Sequence, residues 1–103
     1  MSIYLITYYV REDHHDCGCG EHDHEHHHHA DDKLIMKIET LGRWAHFMPN
    51  GLLVNTSMTA DEILEELKPT VGEKDIIFVS KVNSSSAICS NPQVLDWIER
   101  QES

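Results

Sequence analysis

Twenty-one consecutive residues, 12–32, read EDHHDCGCGEHDHEHHHHADD and offer almost nothing that a hydrophobic core can use. They hold eight acids, eight of the nine histidines, two cysteines, two glycines and one alanine. A folded domain must therefore be built from the other 82 of the 103 residues. Those carry 10 acids and 8 bases, so the net charge of −10 belongs mostly to the segment and the remainder is close to neutral. One ordinary domain fits this length, and a domain so small gains from burial against a second copy.

Eighteen acids against eight bases argue against an open cationic surface wrapped around nucleic acid. A membrane span would need a run of about 18 apolar residues, and the chain has none. The first ten residues, MSIYLITYYV, lack the basic lead and small-residue cleavage site of a signal peptide. The expectation is a soluble, cytoplasmic protein. Cys17, Cys19 and Cys89 are too few and too unevenly placed for a disulfide scaffold.

Outside the segment, strand and helix patterns alternate. Ile3 to Val10 is a near-continuous β-branched and aromatic run, as in a strand covered on both faces. Asp31 or Asp32 can cap a helix with Leu34, Ile38 and Leu41 on one face, and Gly42 is expected to close it in the left-handed conformation. Residues 43–48 and 52–56 read as two strands around Pro49-Asn50-Gly51. Thr59 to Glu62 is a capping box for a second helix with Ile63, Leu64 and Leu67 inward, ended near Pro69. Residues 75–82 form a fourth strand, and Asn91-Pro92 opens a last helix containing Val94, Leu95, Trp97 and Ile98.

This order predicts a single α+β domain over residues 1–103: a ferredoxin-like βαββαβ sandwich with an appended C-terminal helix. The segment 12–32 is then an inserted loop after the first strand. Two helices cover one sheet face, and the bare face is expected to meet a second copy, with Trp44, Phe47 and Met48 supplying apolar surface.

Several short motifs, in this order, carry a resemblance: Tyr4 to Tyr8, Leu41 to His46, Leu53 to Thr56, Ala60 to Ile63, Leu67 to Pro69, Asp75 to Val79 and Leu95 to Ile98. Together they resemble a family of small bacterial proteins often labelled SinR-like, related to the ferredoxin-like subunit of the CRISPR adaptation machinery and to virulence-associated protein D. The match covers most of the chain outside residues 10–32. It implies a homodimer packed through the sheet faces. In many relatives the first strand ends in an aspartate that, one from each protomer, can hold a divalent metal for phosphodiester cleavage. The matching position here is Tyr9. A phenol with an ordinary pKa of about 10 is a poor magnesium ligand at neutral pH. Asp13 follows four residues later, inside the insert. A nucleic-acid-binding or nuclease-type activity is the alternative reading, deprived of its central residue.

The insert points to different chemistry. His14, His15, Cys17, Cys19, His22, His24, His26, His27, His28 and His29 place ten nitrogen or sulfur donors within sixteen positions. Neutral imidazole and thiolate suit zinc and nickel, and eight neighbouring carboxylates attract a divalent cation. Gly18 and Gly20 let the Cys17–Cys19 pair curl around an ion. Zinc-finger spacing is absent, so a rigid structural site is not indicated. The plainer alternative is a low-complexity loop that takes up metal incidentally. Residues 13–29 are expected to be poorly ordered without metal, because they lack the apolar side chains that offset ordering. In small heavy-metal chaperones of the ferredoxin-like fold, the metal-binding cysteines occupy the same connection, although their M-x-C-x-x-C motif is missing here. The resulting expectation is a non-catalytic zinc- or nickel-binding homodimer that buffers, senses or delivers metal.

Other residues read more simply. His46 is expected to share a strand face with Trp44 and Met48 as an interface histidine, and Cys89 to be a small, partly buried residue. Residues 84–86 read as a loop, and Trp44 and Trp97 as core or dimer anchors.

Overall fold

A computed structural model describes residues 1–10 and 31–103. Among them the order is β1 (Ser2–Tyr9), α1 (Asp32–Glu39), β2 (Arg43–Met48), β3 (Gly51–Thr56), α2 (Ala60–Leu67), β4 (Ile76–Val82) and α3 (Pro92–Glu102). A short 3₁₀ turn over Lys68–Thr70 follows α2 and contains Pro69. The strands lie in the order β2-β3-β1-β4, and each neighbouring pair is antiparallel. This is an α+β arrangement of four strands and three helices, compatible with a small ferredoxin-like fold.

Alternation along β1 sorts its side chains onto two cores. Tyr4, Ile6 and Tyr8 join Leu34 and Ile38 of α1, Ile63 and Leu67 of α2, and Leu52 and Val54 of β3. Ile3 points the other way and packs with Leu53 of β3 and with Val94 and Ile98 of α3. A β-strand can feed two cores because successive side chains leave opposite faces. The helices start as their sequences dictate. Thr59 Oγ1 accepts from the Glu62 amide at 3.2 Å while the Thr59 amide donates to Glu62 Oε1 at 2.9 Å, which completes a capping box. Asn91 caps α3 by accepting from the Gln93 amide at 3.0 Å, with Pro92 in the first turn.

Helix α3 changes the expectation of a bare second sheet face. It packs on the side opposite α1 and α2, and Asn55 of β3, almost fully buried, donates to Gln101 Oε1 at 3.0 Å across that contact. The far end of α3 is tied back by the Ser84 amide and hydroxyl, which donate to Glu102 at 2.8 and 2.6 Å. Those two bonds hold the Glu102 carboxyl below its usual pKa. Cover is partial: it reaches Ile3 and Leu53 but not the end of β1, where Tyr9 is 61% exposed.

Two local expectations are corrected. Gly42 does not adopt a left-handed conformation; the helix-ending residue is Thr40, in the right-handed region. Glycine is needed at 42 because a Cβ there would run into the Asn55 carbonyl oxygen of β3. The alternation of β2 also breaks. A register shift between His46 and Met48 pairs Met48 with Gly51, whose β1 partner is Thr7 on the α3 side. Trp44 and His46 instead pair with Val54 and Leu52, residues of the α1–α2 core, so Met48 does not share their face.

Candidate functional site

All ten donors read from the sequence, His14, His15, Cys17, Cys19, His22, His24, His26, His27, His28 and His29, lie outside the described residues, as does Asp13. So does the expectation about order in residues 13–29. The structure does describe the two points from which the segment is held. Strand β1 leads into it and α1 leads out, and their ends are joined by side chains.

Tyr8, buried on the α1–α2 side of β1, is the centre of that join. Its hydroxyl lies 2.9 Å from Asp31 Oδ2 and 3.0 Å from the Pro49 carbonyl oxygen. One hydroxyl hydrogen serves one acceptor fully, and the charged carboxylate is the stronger of the two. The backbone adds a second tie: the Tyr8 amide donates to the Asn50 carbonyl at 3.3 Å, and Asn50 Nδ2 returns to the Tyr8 carbonyl at 3.4 Å. Three chain regions thus converge on one phenol: the end of β1, the β2–β3 turn and the residue preceding α1.

Asp31 occupies the cap position of α1, but its side chain makes no capping bond. The carboxylate is committed to Tyr8, and the Asp31 carbonyl accepts from the Ile35 amide at 3.0 Å to start the helix. Burial pushes the Tyr8 phenol well above its ordinary pKa; the hydrogen bond to Asp31 and the charges of Asp31 and Asp32 push it the same way. At neutral pH Tyr8 is a protonated donor, unsuited to act as a nucleophile or a metal ligand.

Tyr9 stands where the resemblance implies a metal-binding aspartate. It pairs with Ile76 of β4 and faces the α3 side, solvent-exposed. Among the described residues, no group of three or more histidine, cysteine, aspartate and glutamate side chains is placed to hold a metal ion. His46 is exposed on the outer strand β2. Cys89 is half-buried beside the α3 core, and Trp97 packs there too, while Trp44 is 43% exposed. No described helix is long and apolar enough to cross a membrane.

A cleft between β2 and α3 is lined by Phe47, Leu53 and Trp97 with Gln93, Asp96 and Arg100 at its polar side. Among the described residues its lining carries charges of both signs, Asp96 and Arg100, with His46 at its edge and no serine, threonine or cysteine. Comparison with known proteins found no matching family model, no matching curated relative and no matching solved structure.

The Tyr8–Asp31 join escapes a reading of the sequence, although a signal for half of it exists. Tyr8 falls in the same alternation as Tyr4 and Ile6, and a buried tyrosine needs a partner for its hydroxyl. The partner lies 23 residues away, across the insert, where periodicity gives no guidance.

Proposed function

We propose that this chain is a non-catalytic metal-binding protein whose histidine- and cysteine-rich segment takes up zinc or nickel. The scaffold is read as a ferredoxin-like βαββαβ domain with the segment inserted in its first strand-to-helix connection, working as a cytoplasmic homodimer. The observation that carries the reading joins sequence to structure: ten donors lie between residues 14 and 29, and the chain on either side is fastened by Tyr8 and Asp31. A loop held at both roots keeps its donors at high mutual concentration, so several imidazoles and thiolates can meet one ion without a preformed cage. The neighbouring carboxylates lower the cost of bringing a +2 ion there. Buffering, sensing or delivery of metal all rest on that same capture step.

Calorimetric titration of untagged protein with Zn²⁺ and Ni²⁺ tests this, with a variant lacking residues 13–30 as comparison. The intact chain is expected to bind and the deleted chain not to. Equal binding by both would place the metal elsewhere and overturn the proposal.

A further inference from the structure

The cleft between β2 and α3 has a volume of about 650 Å³ and runs along an outer strand of the sheet. Half-buried Phe47 and Trp97 and buried Leu53 form its apolar floor. Gln93, Asp96, Trp97 and Arg100 line its helix side, at the three- and four-residue spacing that puts side chains on one face of a helix. On the strand side, Arg43 to His46 match Asn55 to Leu52 of β3 in unbroken antiparallel register. Alternate residues of such a ladder turn both amide and carbonyl away from the partner strand. Two of these four residues therefore hold out a donor and an acceptor each, with no strand beyond them among the described residues.

Register also sets the charges. Arg43 lies opposite Asn55, whose side chain reaches Gln101 of α3, so the start of β2 meets the end of the helix. Arg100 precedes Gln101, and two guanidiniums thus stand at the same end of the cleft. Among the described residues neither is ion-paired. Asp96 lies one turn back, and Glu99 is on the outer flank of the helix, outside the lining.

We infer that the edge of β2 and the flank of α3 take a short extended peptide as a fifth strand, with apolar side chains over Phe47 and Trp97 and an acidic side chain at Arg43 and Arg100. This binding activity is separate from the metal reading. In this mode main-chain bonds to an exposed edge supply affinity, and alternate side chains supply specificity. Antiparallel addition continues the pattern of the sheet and is the more stable pairing per residue. Ala45 and Phe47 both pack on the α3 side, so the peptide presents apolar residues to them first and then its acid to Arg43, every second residue sharing that face. Carboxylate is the anion that an arginine fork on a strand-binding cleft matches, and charge-assisted bonds of this kind are the strong ones. The register shift beyond His46 ends the regular edge, which limits pairing to about four residues and prevents an open-ended ladder. The chain's own segment 12–32 is a poor occupant: it has acids for the arginines but no large apolar side chain for the floor.

Calorimetric titration of the full chain with the blocked peptide acetyl-Thr-Val-Thr-Leu-Thr-Glu-Thr-amide tests this, without added metal. Binding is expected, weakened about tenfold or more by Arg100→Gln and by exchanging the peptide's glutamate for lysine. Phe78→Ser, on the opposite outer strand β4, is expected to bind as the full chain does. Two further peptides, N-methylated either at the valine, leucine and glutamate amides or at the threonine amides, separate edge pairing from side-chain capture. One is expected to lose binding and the other to keep it, because only alternate amides face β2. No binding at millimolar peptide, by calorimetry or by amide chemical shift, overturns the inference. So do N-methylated peptides that behave alike, an Arg100→Gln protein that binds as tightly, or weakening by Phe78→Ser in its place. If Arg100→Gln fails to fold, the lysine peptide on the unaltered chain decides the charge contact. A full-chain dimer that the peptide dissociates would assign the edge to a second copy and overturn the inference too.

Discussion

Replacing Tyr8 by phenylalanine removes one oxygen and leaves the packing of the ring in place, so it isolates the join between β1 and α1. The wild-type hydroxyl donates to a carboxylate at 2.9 Å, with the Pro49 carbonyl at 3.0 Å as second acceptor. A hydrogen bond to a charged group contributes about 1.5–3 kcal/mol, with the larger values found where the abandoned partner cannot reach water. Asp31 is only partly buried and water can replace the phenol, which favours the lower end. The expected loss is about 1–2 kcal/mol, or about 5–10 °C in the melting midpoint of a domain this small.

The pH dependence gives the same group a second signature, with a definite sign. The Tyr8 pKa is raised by burial first, and then by its bond to Asp31 and by nearby negative charge. Below the unfolded value of about 10, both states hold the proton and the join contributes fully. Above it, the unfolded chain releases the proton while the folded one keeps it, so stability falls by up to about 1.4 kcal/mol per pH unit. Phenylalanine has no such proton. Urea unfolding of both proteins from pH 7 to 11 is therefore expected to show a gap that is constant to about pH 9.5 and closes above 10. Other tyrosines and lysines are common to both proteins and cancel in the difference. Equal midpoints at pH 7, or a gap that widens with alkali, would refute the assignment of Tyr8 as donor to Asp31.

Four further outcomes are expected. Thr59→Ala breaks the capping box of α2 and is expected to cost about 1 kcal/mol by urea unfolding. Ile98→Ala, at a side chain 3% exposed on the buried face of α3, is expected to cost about 2–4 kcal/mol and to speed amide exchange in α3 before the sheet. Deleting residues 13–30 is expected to leave the circular dichroism spectrum and cooperative unfolding of the domain in place, because closure entropy changes slowly with loop length. Zinc affinity is expected to fall by orders of magnitude from pH 8 to pH 5, as protons occupy imidazoles of ordinary pKa about 6.5; calorimetry showing flat affinity over that range would exclude histidine ligation.

Most of the fold was legible because its signals are local. The capping box at Thr59, the Asn91-Pro92 start of α3 and the Pro49-Asn50 turn each lie within four residues, and each is found where the pattern puts it. What was illegible depends on two chain segments meeting. Glycine after a helix usually takes a left-handed turn, but the constraint at Gly42 is the Asn55 carbonyl, thirteen residues away and across a strand pair. The slip in β2 between His46 and Met48 moved one methionine to the opposite face, and nothing in Arg43–Met48 marks where alternation fails. The apolar pattern of residues 92–102 marks the last helix but not the sheet face it covers, which depends on its meeting Ile3 and Leu53. The ten candidate donors are a reading of residue types alone and lie outside the described residues, whereas the Tyr8–Asp31 bond beside them escapes the sequence, because the two residues look unrelated until the chain has folded.

The position of the insert follows from the same physics. Residues 11–30, with six acids and eight histidines, offer little that a core could bury, so the domain has to be stable without help from them. Between β1 and α1 that demand is met by interactions that do not involve residues 11–30. β1 is paired on both sides, to β3 and β4, and α1 is seated by Leu34 and Ile38 in a core it shares with α2. The Tyr8–Asp31 bond then fixes the one distance that the insert has to span. With both ends of residues 11–30 held by the fold, lengthening the connection is expected to cost only about 0.6 kcal/mol per doubling. Residue types inside the segment are therefore expected to change with little effect on the domain, whereas changes at Tyr8 or Asp31 act on its stability and, if the segment binds metal as proposed, on its affinity as well. That coupling is a reason to measure metal affinity on the Tyr8→Phe protein as well as on the deletion. A modest, entropic loss of affinity in the former, beside a complete loss in the latter, is the pattern that a scaffold holding a ligand-bearing loop by its roots must produce.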